Sequence, residues 1–560
     1  MKKKTLVGVA ALAALALALA GCSGTSSSSS TSAAVAATPC SSTSEGTDIT
    51  AAATDYSGPD VLKITQLPFE TLWATGNNGG AFNAAYFSTV YDSLYLIDGS
   101  CQPYGDVAMN TEVSDDGLTY TFDVRSGVVF SDGTELDAQG VVDNLTYLAS
   151  SAALQTSIVY QNVADFTAVD SDTVQIDLTT ADPVFLYNLG FGNSYLTSPE
   201  VLDADDDYAS YTALTEPVGS GPYLFDQSQS TVGQDGTSLD VFTKNESYWN
   251  TDAYPWSEVD ITANYDFTGQ SATNGLATGD YNFASVYYAS TQNSTDPDAQ
   301  FVSFPGGAGG LNLVDAFGTL TDKAGDDALE DVRVRQAIAE AINRPQLLEQ
   351  AQDPTQGGDP NVYLTNSVFY DDTTDHSGYA AANEITYDPD HAKELLAEAG
   401  YPDGFTLDMP ANPDGLFDIS SFVQDLAVIG ITVNEVDMAQ LDYTNQVFAG
   451  QWPIYSDNFE IYSNPLETVQ QYFTTGAKQN PIDRSAEDSE LKSLVDTALA
   501  STSDDVDANI EALNDYVASQ YWFIPTVVSP SYYETTSGLT VVPIIGYYIP
   551  NIQQFLPNAQ

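Results

Sequence analysis

The body of this chain, from about residue 54 to its end, runs for ~500 residues, and that length constrains the fold most, because one hydrophobic core stops growing well short of it. Two or three lobes are expected in place of one compact domain. With 43% hydrophobic and 11% aromatic residues, the chain has enough apolar surface to bury cores of that size.

Ahead of the body stand Met1, three lysines at positions 2 to 4, an apolar stretch from Leu6 to Ala20, then Gly21, Cys22 and a serine tract. Basic start, apolar middle and small-residue end are the layout of a secretory signal. The stretch is too short to span a bilayer, which takes roughly 20 apolar residues. Leu19-Ala20-Gly21-Cys22 resembles the bacterial lipobox, in which the cysteine thiol is acylated before cleavage. That resemblance implies a lipoprotein signal peptide over residues 1–21 and a lipid on Cys22; the competing reading is an ordinary cleavage site with an incidental cysteine. Residues 22–57, almost all Ser, Thr, Ala and Gly, bury too little to offset the entropy of ordering them and read as a tether. No second span follows, so the body is expected at the outer face of the cytoplasmic membrane, on a bacterial surface or in a periplasm.

The formal charge is -64, and losing the signal with its lysines leaves 11 basic residues against 78 acidic ones. Such an excess repels phosphate and excludes nucleic acid as a partner. Spread along the whole chain, it reads as a solvated surface. Of three cysteines, Cys22 belongs to the anchor, and Cys40 and Cys101 are candidates for a disulfide pinning the tether to the body, which spacing alone does not decide.

Within the body, Tyr120, Phe122 and Val124 alternate with polar residues, and Asp116-Gly117 and Asp132-Gly133 supply turns, so hairpins are expected here. Asp137 can cap a helix carrying Val141, Leu145 and Leu148 on one face. Further on, Val334, Ala337, Ile338 and Ala341 fall at helical spacing, and Pro345 opens a new helix. Asp388 can cap a helix with Pro389 at its first position, a stripe of Ala392, Leu395, Leu396 and Ala399, and Gly400 at its end. Helices mixed with β-prone runs such as FTLDM and ITVNEV indicate an α/β lobe.

The segments DGLTYTFDVRSGVVFSDGTELDA, PVGSGPY, NESYWN, DVRVRQAIAEAINR and YDPDHAKELLAEAGYPDGF, in this order, resemble the family 5 extracellular solute-binding proteins of ABC importers, the oligopeptide, dipeptide and nickel binders. The resemblance covers nearly the whole mature chain. It implies an α/β periplasmic-binding-protein fold of the second type, with two clasping lobes and an inserted third. Expected boundaries are 58–92, 188–305 and 531–560 for the first clasping lobe, 93–187 for the inserted lobe and 306–530 for the second clasping lobe. Gln139, Gly140, Glu246 and Asn343 depart from the family's usual residues.

An exported hydrolase is the rival class. The only histidines are His376 and His391, no HExxH or G-x-S-x-G motif occurs, and a catalytic triad has little to draw on. No catalytic residue, metal ligand or cofactor is expected, and nickel or haem lacks suitable ligands. A peptide captured by lobe closure and handed to a membrane permease by a monomeric binder is therefore the expectation, with carbohydrate as the alternative because 5 tryptophans and 34 tyrosines can stack on sugars.

For the pocket, the oligopeptide binders place an aspartate in a W-x-x-D-Y-x-x-P-like stretch against the peptide's amino terminus. In YSDNFEIYSNPLE, matching Tyr462 and Pro465 to that pattern puts Ile461 at the aspartate position. An isoleucine cannot pair an ammonium. Either Asp457 or Glu460 supplies the carboxylate, or the ligand has no free amino terminus there and is longer, blocked or not a peptide, with Tyr462 and Asn464 stacking and hydrogen bonding. A third reading makes the loop mere packing.

Overall fold

The alternation around Tyr120 forms the expected hairpin. Ala108–Val113 and Thr119–Val124 pair antiparallel around the turn at Gly117, whose φ of +68° suits glycine. Thr173–Leu178 joins on the other side and Val163–Ala168 closes a four-stranded antiparallel sheet. Asp137 caps Ala138–Ala149 by accepting from the Gly140 amide at 2.8 Å, and that helix packs Val141, Leu145 and Leu148 against the sheet's apolar face. Gly140 permits close packing, since a Cβ there would lie 3.0 Å from Pro199.

The computed structural model describes residues 35–36, 59–66, 73–77, 83–150, 155–204, 217–232, 238–263, 270–286, 288–292, 300–320, 322–369, 384–411, 419–477, 479–501, 505–536, 538–547 and 549–557. The expected signal, Cys22, most of the tether, Cys40 and His376 lie outside them. All the described residues belong to one unit, Ala34–Gln560.

A mixed sheet organises that unit. Val61–Gln66 runs parallel to Glu258–Ala263 on one side and to Phe283–Val286 on the other, with Ser238–Lys244 beyond. Leu62, Ile64, Val259, Ile261 and Phe283 bury their side chains with Trp73, Tyr86, Phe242 and Trp256 in a first core. Two long strands, Gln300–Leu313 and Phe523–Thr535, pair antiparallel at the edge of this sheet and carry the chain away from it. The first half of Gln300–Leu313, with Phe304, and the second half of Phe523–Thr535, with Tyr533, belong to the first core. The opposite halves, with Leu311 and Leu313 at the end of one strand and Ile524 at the start of the other, belong to another core, built from the helices Val332–Ala341, Pro389–Glu398 and Ser420–Val428 around the parallel pair Thr406–Ala411 and Thr432–Asp437.

Between the two halves the register slips twice, at Pro305/Ala308 and at Ala308/Gly310. The run PGGAGG makes this possible: a Cβ on Gly306 would stand 2.3 Å from the Ser529 carbonyl oxygen, and one on Gly310 2.4 Å from that of Ile524. Ile454–Phe459 adds an antiparallel strand to the far half.

The expected helix ends are met. Asp388 caps with Pro389 in the first turn, Gly400 takes φ +99° after the last turn, and Asn343 caps the helix Arg344–Gln352 that Pro345 opens. Among the described residues no helix is long and apolar enough to cross a membrane.

Candidate functional site

The strand Ile454–Phe459 delivers the chain to the loop Glu460–Asn464 and then to the helix Pro465–Phe473, which starts where Asn464 accepts from the Leu466 amide at 3.0 Å and Pro465 sets the first turn. Facing them is a segment nearly three hundred residues earlier, Asp182–Asn193. It consists of one turn of helix, Phe185–Asn188, followed by a wider turn, Leu189–Asn193, in which Gly192 takes φ +77°.

The two segments interlock. The Tyr187 hydroxyl lies 2.8 Å from Ser463 Oγ. Gln470 is gripped at both ends: its Oε1 accepts from Asn188 Nδ2 at 2.5 Å, and its Nε2 donates to Asp182 Oδ2 at 2.8 Å. Asp182 is in turn held by the Val184 amide, and its backbone carbonyl accepts from the Tyr120 hydroxyl. Aromatic rings fill the space alongside, with Phe191 stacked on Tyr547 at 4.3 Å and meeting Tyr462 edge-on at 6.5 Å.

The electrostatics are acidic. Burial lifts the Glu467 carboxyl to about 8, with smaller contributions from Asp182 and Glu460, while Gln471 Nε2 opposes the shift by donating to it at 3.0 Å. Burial likewise raises Asp182. Tyr462 is pushed well above the usual phenol range by burial first and the Glu460 charge second, and its hydroxyl donates to Glu460 Oε2 at 2.5 Å.

Of the residues singled out in the sequence, Tyr462 and Glu460 are brought together at this junction. Ile461 is buried among Phe459, Tyr462 and Leu466. Asn464 uses its carbonyl oxygen on the helix cap. Asp457 is buried on the preceding strand, opposite Gly310, near Tyr443 and Tyr455, whose phenols are raised by burial first and by Asp457 second. Sequence reasoning missed Asp182, Tyr187, Asn188, Glu467 and Gln470. Asn464 and Glu467 have the spacing of a capping box, a pattern with a local explanation that conceals the buried role of the glutamate.

Cys101 is buried and disulfide-bonded, and the chain's other cysteines, Cys22 and Cys40, both precede the described body. Four of the five tryptophans, Trp73, Trp256, Trp452 and Trp522, are buried, and the fifth, Trp249, lies under the Arg125 guanidinium at 3.9 Å. Those rings are committed to packing. Among the described residues no group of three or more His, Cys, Asp or Glu side chains is placed to hold a metal ion.

Residues 102–480 match the family model described as bacterial extracellular solute-binding proteins, family 5 Middle. The haem-binding protein A of Haemophilus influenzae is 27% identical over 444 residues, covering 73% of this chain and 76% of that protein. The glutathione-binding protein GsiB of Escherichia coli K12 is 27% identical over 393 residues, 68% of this chain and 70% of that one. Among solved structures, AgaA of A. tumefaciens R10 in complex with agropinic acid superimposes with a TM-score of 0.72 at 18% identity, over 89% of this chain and 99% of that chain. The dipeptide-binding protein of Pseudoalteromonas sp. SM9913 in complex with Met-Leu gives 0.70 at 18%, over 89% and 100%. The periplasmic binding protein DppA of Helicobacter pylori with the peptide STSA gives 0.71 at 19%, over 90% and 98%. These neighbours share the type II periplasmic-binding fold, and the matched proteins bind solutes for transport and are not enzymes. With two cores joined by a pair of crossing strands, and a family model matched over 379 residues, the chain belongs to the family 5 bacterial extracellular solute-binding proteins.

Proposed function

We propose that this chain is the lipid-anchored substrate-binding component of an ABC importer, which captures peptides or peptide-like solutes by lobe closure and passes them to a membrane permease. The observation that carries the reading is the pair of strands Gln300–Leu313 and Phe523–Thr535, each shared between two cores and each slipping register at the boundary. Two rigid bodies on a bulged two-stranded joint are the parts of a hinge. Residues 58–92, 188–305 and 531–560 form one clasping lobe in this reading, 306–530 the other and 93–187 the inserted lobe. Dipeptide, tetrapeptide and glutathione complexes or names among the relatives support a peptide-like ligand.

Glu460 and Tyr462 are the proposed ligand contacts. Glu460 is partly exposed just after its strand, whereas Asp457 is buried within it. The loss of the family's aspartate at Ile461 would thus be met by a carboxylate one residue away. Calorimetry with a free tripeptide and its amino-acetylated form tests this. Loss of binding on acetylation, and in Glu460→Gln but not Asp457→Asn, is expected. Equal binding of both peptides points to a ligand without an amine at this place. Anchoring is tested separately: Cys22→Ser should move the protein from the membrane fraction to the soluble one.

A further inference from the structure

In the lobe assignment proposed above, the interlock between Asp182–Asn193 and the helix Pro465–Phe473 joins different lobes, with Tyr187 and Phe191 packed in one cluster with Tyr462 and Leu466, so opening would part it. It places three carboxyl groups in one small region: Asp182 from one side, Glu460 and Glu467 from the other. The titratable groups acting on Glu467 are those two carboxylates and the phenols of Tyr187 and Tyr462. Glu467 is 2% exposed here, although it sits in the first turn of its helix, where an open cleft would hydrate it.

Resting on the closure reading above, we propose that Glu467, with Gln470 and Asp182, forms a proton-linked latch: Glu467 is buried as the neutral acid when the lobes meet, so closing takes up one proton. The balance is simple. An open-state carboxylate accepts a proton from water, the acid is sealed beside Gln471 and the clamp of Gln470 by Asp182 and Asn188, and opening returns the proton to solvent.

The direction follows from linkage. In the open state Glu467 titrates near the ordinary value, about 4.3, and in the closed state it holds its proton up to about 8. Below the first value both states are protonated, and above the second both are ionised. Between them the closed state binds more protons, and the closing equilibrium weakens by up to about tenfold for each pH unit gained. Gln470 and Asp182 are positioning residues, since they hold the surfaces that seal the acid.

Small-angle scattering of the purified full chain, without ligand, tests the latch. The wild type should expand as pH rises from about 5.5 to about 8.5, and Glu467→Gln should stay compact throughout. Asp182→Asn removes one of the charges that raise Glu467, so it should reduce the expansion. It keeps the test open if the glutamine variant fails to fold. Wild-type scattering that does not change with pH, or a Glu467→Gln variant that expands as the wild type does, overturns the proposal. If peptides bind and compaction ignores pH, only the latch fails. If compaction follows pH and no peptide binds, the peptide reading fails and the latch stands.

Discussion

Arg484 is fully buried, and the partners that hold it are amide and carbonyl oxygens: Asn312 Oδ1 at 2.6 Å and the backbone oxygens of Gln479 and Leu313 at 3.1 and 3.2 Å. Its guanidinium lies over the Phe523 ring at 4.8 Å, and burial brings its pKa down to about 10. The fork thus ties the far half of one crossing strand to the loop before the helix Ser489–Leu499. Arg484→Leu would leave these acceptors buried and unanswered, and a loss of ~3 kcal/mol or more in urea unfolding is expected. Arg484→Lys should recover only part of it, because an ammonium cannot reproduce the planar fork. Nothing at this scale was readable in advance, because the partners of Arg484 are up to 172 residues away.

Helix ends show the opposite case, since their chemistry is local. Asp137, Asp388 and Asn343 each accept from the amide three residues ahead, and each is marked by its own neighbours in the chain. Asp388→Ala should cost ~1 kcal/mol, read as a lower melting temperature. The hairpin of Ala108–Val113 and Thr119–Val124 was legible for the same reason, through alternation at Tyr120, Phe122 and Val124. The pairing of Gln300–Leu313 with Phe523–Thr535 was not, because no period connects strands more than two hundred residues apart. Within that pairing, Gly310→Ala should force the strands apart or shift their register, since Ile524 O is a backbone atom that cannot swing away. Slower hydrogen exchange is the native mark of this ladder, and faster exchange at Leu311 and Ile524 is the expected outcome in the variant.

For the whole molecule, the acidic excess is legible from composition, but where it is buried is not. Asp106 is lifted to about 7 and Asp240 to about 6, in each case chiefly by burial, and the neighbouring Asp92 is raised well above the usual range by burial and then by Asp106. Tyr248 and Trp249 donate to Asp92, and the Ser93 amide donates to Asp106. A carboxyl whose pKa is higher folded than unfolded adds stability at acid pH and loses it as pH climbs through the folded value. The midpoint of urea unfolding should therefore fall between about pH 4 and about pH 7, and Asp106→Asn should flatten that slope. A midpoint rising over this interval would contradict the burial assigned to these groups. The fold class was readable from five motifs in order. The contacts of Asp182 and Asn188 with Gln470 were not, because these residues meet only through the tertiary fold.

The crossing strands also decide how the two halves can travel. Two antiparallel strands side by side make a ribbon, and a ribbon flexes easily across its thin direction and resists bending within its own plane, where hydrogen bonds would have to stretch. The slip between Pro305 and Ala308 sets the soft spot, because from Ala308 onward Ile454–Phe459 and Tyr363–Leu364 flank the pair and stiffen it. In the closure proposed above, the approach of one half to the other would be a movement along a single arc. Solutes of different bulk would stop that arc early or late without turning it aside, so the same two surfaces come to face each other whatever is carried between them.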